Sequence, residues 1–165
     1  MKSASFLRSL VVAEPFIKMQ ALTTGERRSV KIFGCVGVHD GAFLYQRDNV
    51  FNGQTHVNFL EKKLARRFYR PGQKLIYIQD NASCHKEGQV WEWFAANRDW
   101  LEVHQLPPYS PEFNAAEPLW HHTRVHGTHN RSFKSADEIM ESLTGVFGGI
   151  QRHPQQIMGY LRPFQ

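Results

Sequence analysis

Leu75-Ile76-Tyr77-Ile78-Gln79-Asp80-Asn81-Ala82-Ser83-Cys84-His85 is a short apolar run that ends in an acid and a polar loop. Its continuous apolar residues, preceded by the breaker Pro71-Gly72, fit a central strand covered on both faces. In open α/β sheets, ligands gather at the carboxyl ends of strands, where the chain turns away from the sheet. Asp80 falls at such an end. Taken alone it serves equally well as a turn former or a helix cap. Asn81, Ser83 and His85 make the loop polar enough to favour a site.

Around this strand the pattern alternates. Val30, Ile32, Phe33, Cys35, Val36 and Val38 form a buried strand between Ser29 and Val38, and His39-Asp40-Gly41 supplies a hairpin turn. Ala42 to Gln46 returns. Val57, Leu60, Leu64 and Phe68 recur at helical spacing, with Glu61, Lys62, Lys63, Arg66 and Arg67 on other faces. A helix is expected between about Lys86 and Asn97, a strand over Leu101 to Leu106, and helices from Ala115 and over Ala136 to Val146. Ser135 and Glu138 are spaced as a capping box for the last. Strands alternating with helices argue an α/β fold.

A second acid has an equally definite local context. In Leu106-Pro107-Pro108-Tyr109-Ser110-Pro111-Glu112-Phe113-Asn114-Ala115-Ala116-Glu117-Pro118-Leu119-Trp120, a helix starting at Pro111 would hold Pro118 in its interior, at a cost of about 3 kcal/mol. With Asn114 as N-cap, Pro118 moves into the tolerant first turn and Glu117 stands where the helix dipole favours its charge. By itself Glu117 reads as a cap partner.

Composition narrows the setting. The 165 residues, 41% of them hydrophobic, suffice for one domain with its own core, and a net charge of +5 suits a polyanionic partner. Cys35 and Cys84 have neither a disulfide pattern nor CxxC spacing, which fits a reducing compartment. No stretch approaches the ~20 apolar residues of a membrane span. The nine histidines are not read as a zinc site.

Together, the Asp80-to-His85 string, the Leu106-to-Asn114 string with Glu117 and Trp120, and Thr128-His129-Asn130-Arg131 resemble the DDE-type transposases of bacterial insertion sequences, in the branch related to the mariner superfamily. The resemblance runs from about Thr24 to Val146. Ala115 stands where that family usually has proline. It implies a ribonuclease-H-like mixed sheet flanked by helices, with Asp80 and Glu117 as the second and third catalytic carboxylates holding Mg²⁺ or Mn²⁺. It implies transposon-end DNA as partner, contacted by Asn81, His85, Arg124, His129, Asn130 and Arg131, with His85 or His121 able to orient water. It also implies a homo-oligomer or an assembly with a full-length relative, and a bacterial, cytoplasmic, nucleoid-associated setting.

The family's first Asp, on the opening strand, has no counterpart in this reading. Asp40 and Asp48 lie in and after the hairpin, while Glu14 stands too close to it and lacks an acidic neighbour. The expectation is therefore a truncated chain: residues 1–28 a remnant segment, 29–150 the catalytic domain with its first strand missing or replaced, and 151–165 a tail. Residues 5–13 are expected to fill part of the sheet edge or gap that this leaves. Such a chain is expected not to cleave DNA alone. The alternatives are a non-catalytic DNA-binding or oligomerisation remnant, or an intact nuclease with an unrelated first ligand.

Overall fold

The computed structural model describes residues 9–21, 28–108 and 110–165. Residues 1–8 and 22–27 of the expected remnant, and Tyr109 of the proline-rich string, lie outside the described residues. Strands β1 (Ser9–Ala21), β2 (Arg28–Gly37), β3 (Phe43–Asp48), β4 (Leu75–Gln79) and β5 (Leu101–Gln105) form one sheet in the order β3-β2-β1-β4-β5. The pairs β3–β2 and β2–β1 are antiparallel, whereas β1–β4 and β4–β5 are parallel.

The expected gap in the sheet is corrected here. The first strand is present, built by Ser9–Ala21, and it is central: β2 pairs with one of its edges and β4 with the other. The stretch Leu10-Val11-Val12-Ala13 lines up with Ile76-Tyr77-Ile78-Gln79 of β4. Its antiparallel register with β2 shifts between Glu14 and Ile17, around Pro15, a residue that cannot donate to a ladder. That break masks the strand in the sequence.

The sheet is covered on both faces, and β2 records this in its alternation. Val30, Ile32 and Val36 join Phe43, Leu119, Trp120, Leu143, Phe147 and Ile150 in one buried cluster. Phe33 and Cys35 join Val11, Phe59, Leu60, Leu64, Tyr77, Val90 and Phe94 in the other. Successive strand side chains point to opposite faces, so one strand feeds two cores. On the second face α1 (Gly53–Phe59) runs through a π-helical stretch (Leu60–Ala65) into α2 (Arg66–Phe68), beside α3 (Gly88–Ala96). On the first lie α4 (Ala116–Gly127), α5 (Ala136–Arg152) and α6 (Gln155–Leu161).

Local signals act as their chemistry dictates, with two amendments. Gly41 takes a φ of 65° in the hairpin, and Asp40 Oδ1 accepts from the Ala42 amide at 3.0 Å. Ser135 Oγ caps α5 by accepting from the Glu138 amide, but Glu138 reaches back to the Lys134 amide instead of closing the box on Ser135. The segment read as a tail holds α6, whose Ile157 and Leu161 are fully buried in the first cluster. Apolar residues there have core to cover, which a short terminal stretch does not announce.

Candidate active site

Asp80 leaves the end of β4, and the loop after it is clamped from both sides. Asp80 Oδ1 accepts from the Ala82 amide at 2.9 Å, an Asx turn that fixes the carboxylate against its own loop. A 3₁₀ turn over Ser83–Lys86 then brings His85 back beneath it. His85 Nδ1 lies 3.0 Å from the Asp80 carbonyl oxygen and 3.2 Å from Asp80 Oδ1. Both neighbours are acceptors, so Nδ1 carries the hydrogen and donates to them. Oδ2 has no such bond among the described residues.

His85 is fully buried, and that overturns its expected contact with DNA. Its ring lies against His56 of α1, with centroids 4.3 Å apart, and His56 Nε2 is 3.4 Å from the Tyr77 hydroxyl. Burial, followed by the charge of His85, holds the His56 pKa well below its usual range. Burial likewise pushes the Tyr77 hydroxyl up. A buried polar tier of His56, Tyr77 and His85 therefore supports the Asp80 loop from below. Nothing in the sequence spacing of these residues, on α1, β4 and the loop, announces it.

Glu117 sits in the first turn of α4, with Pro118 beside it in the tolerated position. Asn114 does help start the helix, but its Oδ1 accepts from the Ala116 amide, at 3.0 Å, not from the amide of Glu117. The Glu117 amide bonds to the Asn114 carbonyl. Glu117 is half-buried, and the N-cap position of α4 supplies no side-chain cap. Asp80 and Glu117 line the same cleft, of ≈ 230 Å³, together with Asn81, Ser110 and Asn114. Asn81 Nδ2 donates to the Leu106 carbonyl and so ties one wall of this cleft to the other.

The remaining expected contacts stand elsewhere. Arg124 is exposed on α4, and His129, Asn130 and Arg131 are exposed in the turn that follows it; none lines the cleft. Asn130 takes a φ of 54°, the left-handed conformation that asparagine tolerates, and Arg131 Nη1 donates to Ser142 Oγ at 3.0 Å. Reading the histidines as unpatterned passed over His122 and His126. Four residues apart on α4, they stack with ring centroids 4.2 Å apart.

A mixed sheet in this order, with one acid at the end of β4 and another opening α4, defines a ribonuclease-H-like protein with a paired-carboxylate cleft. The chain belongs to the DDE superfamily endonuclease family, whose model matches residues 18–140. It is 26% identical over 139 residues to the transposable element Tcb2 transposase of Caenorhabditis briggsae, covering 83% of this chain and 49% of that protein. The chain thus spans about half the length of that relative. Its fold is similar to the catalytic domain of Mos1 mariner transposase, with a TM-score of 0.64 at 15% identity over 96% of this chain and 81% of that one. The Mos1 paired-end complex with the left transposon end superposes at 0.64 and 17% identity, covering 96% and 55%.

Proposed function

We propose that this chain is the catalytic domain of a transposase, and that Asp80 and Glu117 hold divalent cations for cleavage and transfer of DNA strands. The observation that carries this reading is the meeting of Asp80 and Glu117 on one cleft of a mariner-like fold. The donor set fits a hard cation such as Mg²⁺ or Mn²⁺: carboxylate oxygens at a half-buried cleft that no Lys or Arg lines. The Mos1 catalytic domain has been solved with raltegravir in the presence of Mn and of Mg, which supports the same choice of metal.

Glu14 enters through strand register. Ala13 is abreast of Gln79, so Glu14 and Asp80 are the next residues along two parallel neighbours. Across β2, Glu14 is paired with Gly34, and Gly34 lies beneath Trp120, three residues along α4 from Glu117. The expectation of an inert chain rested on the absence of a first catalytic Asp, and Glu14 is the acid that this strand register puts in line with Asp80. The family match starts at residue 18, beyond Glu14, and what is described of Glu14 is its backbone register.

Such ions activate an attacking oxygen and stabilise the leaving one during in-line displacement at phosphorus. The protein's part is positional. His85 and the Ala82 amide fix Asp80 Oδ1, leaving Oδ2 for a ligand, and the opening turn of α4 presents Glu117. Asn81 at the cleft, with Arg124, His129, Asn130 and Arg131 beyond it, contacts phosphates, which orients DNA without reading its sequence. The substrate is transposon-end DNA, engaged by a homo-oligomer or by assembly with a full-length relative.

Nicking of supercoiled plasmid in Mn²⁺, with Mn²⁺ binding followed in parallel by electron paramagnetic resonance, tests this. Cleavage lost in D80A and E117A, with weakened Mn²⁺ binding in each, is the expected result. Cleavage that survives D80A sinks the assignment. A wild-type chain that binds DNA equally in chelator and never nicks it is instead the non-catalytic remnant.

A further inference from the structure

Apart from the carboxylate cleft and the buried His56–His85 pair beneath it, two ligating rings meet on the surface of α4. We propose that His122 and His126 form a second metal site on α4, selective for a borderline transition ion such as Zn²⁺ over Mg²⁺ or Mn²⁺.

Residues four apart on a helix lie on one face, so the helix itself sets the chelate spacing. The two rings are 4.2 Å apart between centroids and tilted by 43°, close enough for one nitrogen of each to reach a shared ion at zinc–nitrogen distances of about 2.0–2.1 Å. The second element of the site comes from α6. Tyr160 Oη is 3.3 Å from His122 Nδ1. With Nδ1 carrying the hydrogen and donating to Oη, the lone pair is left on Nε2. Metal-binding histidines are habitually fixed in this way, through their other ring nitrogen.

The electrostatics agree with a ligand's requirement for neutral imidazole. Burial, and then the charges of His126 and His121, lower the His122 pKa, the direction that suits a ligating imidazole. Two imidazoles favour Zn²⁺, Ni²⁺ or Cu²⁺, whereas carboxylates and water suit Mg²⁺. No set of three His, Cys, Asp or Glu converges among the described residues, so solvent completes the coordination shell. An ion there stiffens the half of α4 that Tyr160 ties to α6, on the same helix whose first turn carries Glu117.

The test is a calorimetric titration of the full chain with zinc chloride in excess Mg²⁺, which occupies oxygen-rich sites. Histidine ring resonances are followed in parallel by NMR. One saturable equivalent is expected, with the His122 and His126 signals moving first. H126A, an exposed substitution that spares the fold, weakens binding by about tenfold or more, and Y160F by about tenfold, the lower end of what loss of an orienting partner costs. D80A and H129A leave Zn²⁺ affinity unchanged. Equal affinity in H126A, or ring signals unmoved at saturation, overturns the proposal; affinity lost in D80A assigns the zinc to the carboxylate cleft and overturns it too.

Discussion

Gly34→Ala is a one-carbon change that bears on both the core and the site. A Cβ on Gly34 would stand 2.4 Å from Cη2 and 2.5 Å from Cζ2 of Trp120. Ordinary carbon contacts begin near ~3.5 Å, so the overlap is roughly 1 Å. Trp120 has little room to yield. It is fully buried, with the Phe43 and Phe147 rings 5.8 and 6.4 Å away. The strain therefore passes to α4, which moves off the sheet and carries Glu117 with it. Overpacking of this kind costs about 1–3 kcal/mol, or some ~2–10 °C in melting temperature for a chain of this size. Thermal unfolding by circular dichroism reads the stability, and a Mn²⁺ titration reads the displacement of Glu117. Trp120→Phe removes both clashing atoms, along with an indole N–H that is buried without a partner among the described residues. On its own it leaves a cavity and destabilises. In combination with Gly34→Ala it should recover part of the loss, a favourable coupling of about 0.5–3 kcal/mol. Strictly additive effects would refute the close approach, and an unchanged Mn²⁺ affinity in Gly34→Ala would refute the link from packing to site.

Other perturbations probe separate parts of the chain. Because the folded-state pKa of His56 is depressed, the unfolded chain takes up a proton that the folded chain refuses. Its contribution to stability is complete above about pH 6.5 and is lost as pH falls from there toward the folded value. Urea unfolding at pH 7.5 and pH 5 should show the loss, and His56→Gln should flatten it. Both thiols should resist Ellman's reagent at pH 8 until the chain is unfolded, since burial pushes Cys84 up to about 11 and Cys35 higher still. Rapid native labelling of either would show the loop or the core to be open. Ile157→Ala should cost about 2–5 kcal/mol in denaturant unfolding, because Ile157 is fully buried against the first core. A surface-like loss below ~0.5 kcal/mol would show that α6 is dispensable.

Much of the scaffold was legible because its signals are local. The apolar run of β4 ending in Asp80, the Asp-Gly hairpin and the proline placement that begins α4 near Glu117 each express constraints acting within a few residues. The family resemblance drew on the same short strings. Where sequence reading failed, the deciding partner was distant. Ser9–Ala21 looks unpatterned because Glu14-Pro15 interrupts it, and it becomes a strand by pairing with β2 and β4 together. His85 looked like a polar loop residue, yet its place under Asp80 depends on His56, which arrives from another helix.

The sequence by itself determined the order of elements from β2 to α5, the two acids and their local settings, since backbone preference and hydrophobic period act over a turn or a strand. Only the tertiary structure decided that β1 runs beside β4 with Ala13 abreast of Gln79, that His85 is buried, and that Tyr160 meets His122. Those relations depend on strand register and on packing across tens of residues, where chain-closure entropy is offset by the assembled core and no local pattern records the outcome.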